Sequence, residues 1–181
     1  MIIANRLKET NRAEFLLYMW QVEDLLRSFQ CDSERIREEY LVRFKLPEHE
    51  YEAICKWYEE LCDMMRREGV LGSGHLQICR NILFSLEELH VRLMNCSRFP
   101  TYHTLYAKVL PFIVELRAKN NIRNKSELEV CFEALYGILI LRLKNEKIAP
   151  ETLQAKEHIS SLLGKLSEYY FIDNKEPIDF D

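Results

Sequence analysis

The residues of this chain whose types and spacing could do chemistry are few, and the most suggestive pair is Glu87 and His90 in the stretch SLEELHVRL. Side chains three apart on a helix share a face, so this carboxylate and imidazole could ligate one metal ion. Di-iron carboxylate bundles use two E-x-x-H motifs with two further glutamates. Only one such motif is present, because no glutamate stands three places before His49, His75, His103 or His158. A di-metal centre is therefore not expected. A single-metal site would draw on His90, His75 and a carboxylate from the first helix. The ordinary alternative is a core histidine whose ring nitrogens find hydrogen-bond partners.

A second group lies in EFLLYMWQVEDLLRS, residues 14–28, where Gln21, Glu23 and Asp24 follow Trp20 in an otherwise apolar run. The simplest arrangement pairs Glu23 with Arg27, four residues on. If the helix is central, its acids need other basic partners, since an unpaired buried charge costs several kcal/mol. Arg142 in LILRLK and Arg117, beside Glu115 in PFIVELR, could supply them. Trp20, Gln21, Glu23, Asp24, His90, Glu115, Arg117 and Arg142 thus form a candidate internal polar site. It would either clasp helices in register or line a ligand cavity.

The loop GVLGSGH offers Gly72, Ser73, Gly74 and His75 ahead of a helix N-terminus, where anions are attracted, with Arg66 and Arg67 as accessories. It lacks G-K-[ST] and does not match G-x-G-x-x-G, so it is neither a phosphate loop nor a dinucleotide loop. A helix C-cap followed by an N-cap explains its glycines equally well. His75 and Cys79 lie one turn apart, but nothing orients the base or supplies an oxyanion hole. The basic segment ERIREEYLVRFK is interleaved with Glu38 and Glu39, which fits a solvated face better than a DNA-reading helix. No catalytic constellation and no cofactor motif emerges.

The elements that must position these residues are all helical by periodicity. A first helix is expected over about 4–29, with two apolar stripes and hence a central place. A short one follows Asp32 and Ser33 to Phe44. The next runs over 48–68 behind Pro47 and ends at Gly69, a C-cap residue by type. A fourth helix runs from about Ser73 to Cys96. A fifth runs from Pro100 to Lys119, kinked or broken at Pro111. A sixth is opened by the capping box of Ser126 and Glu129; its body CFEALYGILILRL is apolar on nearly every side, so it should share the bundle centre with the first helix, with Gly137 allowing close approach. The seventh spans 150–171. No stretch reads as a strand. The expected fold is all-α: a single-domain antiparallel bundle of six or seven helices over 1–171, with an acidic, frayed tail over 172–181.

The bulk properties agree with an ordinary globular protein of 181 residues, 48% hydrophobic, with net charge −4. The charge gives no general attraction to nucleic acid or anionic lipid. The longest apolar run, about seven residues, is far short of the ~20 that span a bilayer. Six cysteines without a C-x-x-C pair, at apolar positions of helical patterns, point to free core thiols in a reducing cytoplasm.

Four stretches together, AEFLLYMWQVEDLLR, GHLQICRN, LPFIVELRAKN and CFEALYGILILRL, resemble an uncharacterised all-helical family, a domain of unknown function found mainly in Bacteroidetes-type bacteria. The resemblance runs from Ala4 to about Tyr170. It implies a small bacterial cytoplasmic protein and brings no activity, ligand or catalytic residue. The expected function is a non-enzymatic interaction module, with an unknown protein partner or a second copy bound through a helical face. The alternative is a bundle that binds a small molecule or metal at its internal polar site.

Overall fold

The helical periodicity is realised along the chain. In the computed structural model, which describes residues 2–120 and 124–180, eight α-helices and no strand occur among the described residues. They are α1 (Ile2–Thr10), α2 (Arg12–Ser28), α3 (Ser33–Arg35), α4 (Glu48–Arg67), α5 (Gln77–Asn95), α6 (Pro100–Asn120), α7 (Glu127–Leu143) and α8 (Pro150–Lys175). Among the described residues, no helix is long and apolar enough to cross a membrane.

The helices fall into two compact units, residues 1–10 with 14–82 and residues 11–13 with 83–181. In the first unit, α2 buries Phe15, Leu16, Met19, Trp20, Val22, Glu23 and Leu26, and α4 buries Cys55, Tyr58, Leu61, Cys62 and Met65. The expected short helix before Pro47 is composite: α3 passes into a π-turn over Ile36–Tyr40 and a 3₁₀ turn over Leu41–Phe44. Ile36 and Leu41 are buried, whereas Phe44 is exposed.

The ends of α2 and α4 share one device. Val70 N–H donates to the Met65 carbonyl and Gly69 N–H to that of Arg66, with Gly69 at φ +70°. This is a Schellman cap, which satisfies carbonyls that the helix end would leave bare. Cys31 and Gln30 close α2 in the same way onto Leu26 and Arg27, but there the left-handed C′ position is held by Gln30, at φ +56°, followed by Cys31 at φ +54°.

In the second unit, α6, α7 and α8 pack on one another. Asn11 to Ala13 belong to this unit, and here the expected continuous first helix is interrupted. The Thr10 hydroxyl donates to the Arg6 carbonyl at 2.8 Å, and Arg12 N–H donates to Ser167 Oγ on α8 at 2.7 Å. A side chain 155 residues away thus takes a donor that an unbroken helix would have used.

Pro111, in contrast, does not divide α6. Its missing N–H would have bonded the carbonyl of Ala107, and Ala107, Leu110 and Pro111 are all exposed, where water can serve that carbonyl. Nor is α7 enclosed. Leu128, Val130, Cys131, Phe132 and Ile138 are buried, but Leu141 and Leu143 are exposed and a Cβ built on Gly137 would meet nothing within 4 Å. A helix apolar all round has here kept an uncovered side, and Gly137 admits no close neighbour. Past Phe171, α8 continues to Lys175; Ile178 N–H then donates to Asp173 and the Phe180 ring packs near Phe99.

Candidate functional site

Two polar clusters contain the acids and histidines singled out by spacing, one in each unit. The first is built by α2. Glu23 is 0% exposed, and its carboxylate accepts from the Leu76 N–H at 2.9 Å and from His75 Nδ1–H at 2.6 Å. The Cys79 thiol is also hydrogen-bonded to it, and burial pushes that thiol far above its usual range. The His75 ring stacks on Trp20, centroids 4.2 Å apart and planes 13° from parallel. Trp20 and Glu23 are three apart on one helix face, so together they hold one imidazole by its plane and its edge.

Arg27, one turn on, completes this clasp. It pairs with Asp24 at 2.8 Å and donates to the carbonyls of Val70 and Gly74. The expected Glu23–Arg27 pair is therefore not formed: Glu23 turns to the start of α5, and Arg27 holds the preceding loop. Gln21 donates to the Leu17 carbonyl on its own helix.

The anion-binding reading of Gly72, Ser73, Gly74 and His75 meets a physical obstacle. The donors at the start of α5 already face carboxylates, Leu76 N–H meeting Glu23 and Gln77 N–H meeting Glu68 at 2.5 Å. Two acids at a helix N-terminus stabilise it and repel a further anion. Gly72, Ser73 and Gly74 are exposed loop residues, and Gly74, at φ +84°, supplies the turn before His75.

The second cluster surrounds a cavity of about 510 Å³ in the second unit. α5 contributes Glu87, His90, Val91 and Met94, spaced to share one face; α6 contributes Tyr106 and Arg117; the start of α7 contributes Ser126, Glu127 and Leu128. The capping box places the last group. Ser126, in extended conformation, accepts from Glu129 N–H at 3.0 Å and donates its hydroxyl to Glu87. Glu127 then falls in the first turn of α7, where a carboxylate is favoured by the helix dipole.

His90 is buried, with Nδ1 2.7 Å from the Tyr102 hydroxyl and Nε2 3.9 Å from Glu127 Oε2. Burial holds its pKa below the usual histidine value, against the opposing pull of the Glu127 carboxylate. Tyr106 donates to Glu127 Oε2 at 2.7 Å, and burial, followed by Glu127, pushes its phenol up to about 12. Arg117 donates through Nη2 to the Lys125 carbonyl at 2.8 Å, while Nη1 stops 3.8 Å from Glu127 Oε1. Its Nε is buried without a hydrogen-bond partner.

The eight residues of the expected internal site are thus distributed. Trp20, Gln21, Glu23 and Asp24 belong to the first unit; His90 and Arg117 meet at the second unit's cavity. Glu115 is exposed at the rim of a separate groove, paired with Lys119 at 2.5 Å, and Arg142 is exposed on α7. Glu87 and His90 do share a cavity, but among the described residues no three His, Cys, Asp or Glu side chains are grouped to hold a metal ion.

Tyr102, Tyr106 and Glu127 had not been singled out. A signal for the tyrosines was present: 102, 106, 113 and 117 recur at four- and seven-residue steps and so form one stripe on α6. A second, apolar groove of about 570 Å³ runs between α6, α7 and α8, lined by Phe112, Leu116, Gly137, Ile138, Leu141, Ala155 and Ile159 among others.

The chain belongs to the family described as Domain of unknown function (DUF4924), whose model matches residues 1–177. No curated protein and no solved structure matches it.

Proposed function

We propose that the protein binds a small molecule in the second unit's polar cavity, with His90, Tyr106, Arg117 and Glu127 as the recognising groups. The contrast between the two clusters supports this reading. Around Glu23 the polar groups close on one another at 2.6 and 2.9 Å, as a structural clasp does. Around Glu127 Tyr106 closes at 2.7 Å, but His90 and Arg117, which line the cavity, stop 3.9 and 3.8 Å away. Cavities of roughly 300–1,000 Å³ with a few placed polar groups are the usual form of small-molecule sites. The test is mass spectrometry of the untagged protein purified gently from its native host and then denatured. A compound released in near-stoichiometric amount from wild type, and missing from the Arg117→Met variant, supports the proposal. Release of the same compound by both sinks it.

A second reading, self-association, is favoured by one observation: Val114 (60% exposed) and Leu143 (67%) present apolar side chains at the surface of α6 and α7. A light-scattering mass equal to the monomer at high micromolar concentration excludes it. Cytoplasmic residence goes with either reading and is supported by six free, buried cysteines.

A further inference from the structure

Resting on the cavity reading above, we infer that the ligand carries a vicinal diol, as a sugar or cyclic polyol does, and that the Glu127 carboxylate receives it between His90 and Arg117.

The argument begins with protons. Tyr102 is fully buried, and its hydroxyl is 2.7 Å from His90 Nδ1. A buried hydroxyl needs an acceptor for its hydrogen, and Nδ1 is the ring atom in reach, so Tyr102 donates to Nδ1. The proton of the neutral ring then sits on Nε2. His90 accordingly presents an N–H donor 3.9 Å from Glu127 Oε2, and Arg117 presents Nη1–H donors 3.8 Å from Oε1. Both distances are too long for direct hydrogen bonds.

Each gap suits an atom that accepts from the nitrogen and donates to the carboxylate at once. An oxygen ~2.8 Å from both neighbours would sit to one side of the line joining them, a normal hydrogen-bond length. A hydroxyl performs both roles. An ammonium group only donates, so it leaves the His90 and Arg117 N–H groups unanswered. A carboxylate only accepts, so it gives Glu127 no donor beyond the Tyr106 hydroxyl and lies beside Glu87 and Glu127, two like charges against the single cation of Arg117. The two gaps adjoin the two oxygens of one carboxylate, which fits hydroxyls on neighbouring carbons. Met94 and the Tyr106 ring line the same cavity and offer apolar surface to the C–H faces of such a molecule.

The experiment uses the full chain in glycerol-free buffer and follows the His90 ring C–H signals by NMR. Myo-inositol, D-ribose, methylammonium and acetate are titrated separately. The expected result is a saturable millimolar shift with myo-inositol or D-ribose, at least about tenfold weaker in Glu127→Gln, as losing a charge-assisted hydrogen bond requires. Unchanged His75 signals in the variant show that it is folded. A shift with methylammonium or acetate but with neither polyol overturns the diol assignment and leaves the cavity reading standing. So does a native-host compound released from the protein that lacks a diol. If no probe moves His90 and the purified protein carries no compound, both fall.

Discussion

Removing the Glu23 carboxylate should destabilise the protein more than any substitution of its exposed neighbours. In Glu23→Ala, the buried Leu76 N–H loses its acceptor, which costs about 1–3 kcal/mol. One buried methylene, Cγ, is lost at about 0.8 kcal/mol. His75 is released from its anchor, and part of its stacking on Trp20 goes with it. The sum is about 2–5 kcal/mol, overlapping what is lost when one partner of a buried polar pair is deleted. Glu23→Gln keeps the shape and an oxygen for Leu76, so it loses only the charge assistance, about 1–2 kcal/mol. Asp24→Ala, on the exposed side of the same turn, should cost no more than about 1 kcal/mol. Denaturant unfolding followed by circular dichroism gives the order, and hydrogen exchange at the Leu76 amide gives the place. If Glu23→Ala costs under about 1 kcal/mol and Leu76 exchange is unchanged, the carboxylate does not hold the start of α5.

The His90 proton gives a pH dependence. Its native pKa lies below the unfolded value, ~6.5, so its contribution to stability is complete above that pH and is lost as pH falls from there to the native value. His90→Gln should flatten this part of the melting-temperature profile, and an identical slope in the variant would contradict the assignment. The six cysteines are buried, and burial pushes Cys62 and Cys131 up to about 12. A thiol reagent at mildly alkaline pH should therefore label none quickly in the native protein and all six after denaturation; rapid native labelling of any would count against the burial described. Gln30→Gly should raise stability by about 0.5–1 kcal/mol, because the left-handed conformation penalises a side chain and Gln30 is exposed. Gly69→Ala should do the reverse by a similar amount. Thermal melts that order these two variants the other way would refute the capping account.

Periodicity was enough to read the all-α class and most helix limits, since apolar spacing and caps act within a few residues. Pro100 and Pro150 open α6 and α8, Ser126 caps α7, and Gly69 closes α4, each at the residue its chemistry suggests. The joint at Asn11 was illegible because its cause is Ser167. The uncovered side of α7 was illegible for a different reason. Composition tells which faces are apolar and not which of them another helix will cover, so CFEALYGILILRL reads as central although Leu143 is exposed. For the polar residues, helical spacing puts Trp20 and Glu23 on one face and Glu87 and His90 on another. It could not choose partners between helices. That choice depended on where the loop before α5 returns, and it gave Glu23 to His75 and Arg27 to backbone carbonyls. Tyr106 and Glu127 join His90 through the α6–α7 packing, which no local pattern encodes.

The bond between Arg12 N–H and Ser167 Oγ has a consequence for the order in which the chain is made. Synthesis runs from the N-terminus, and segments begin to fold as they emerge. The residues of α1 and α2 are available long before Ser167 is, so during that interval the Arg12 N–H lacks its Ser167 acceptor. The local sequence favours one continuous helix across it, as the apolar spacing over 4–29 indicates. The Arg12 side of the joint is therefore completed only when α8 arrives and takes that donor. The second unit, which includes residues 11–13 as well as 83–181, is in that sense begun early and closed last.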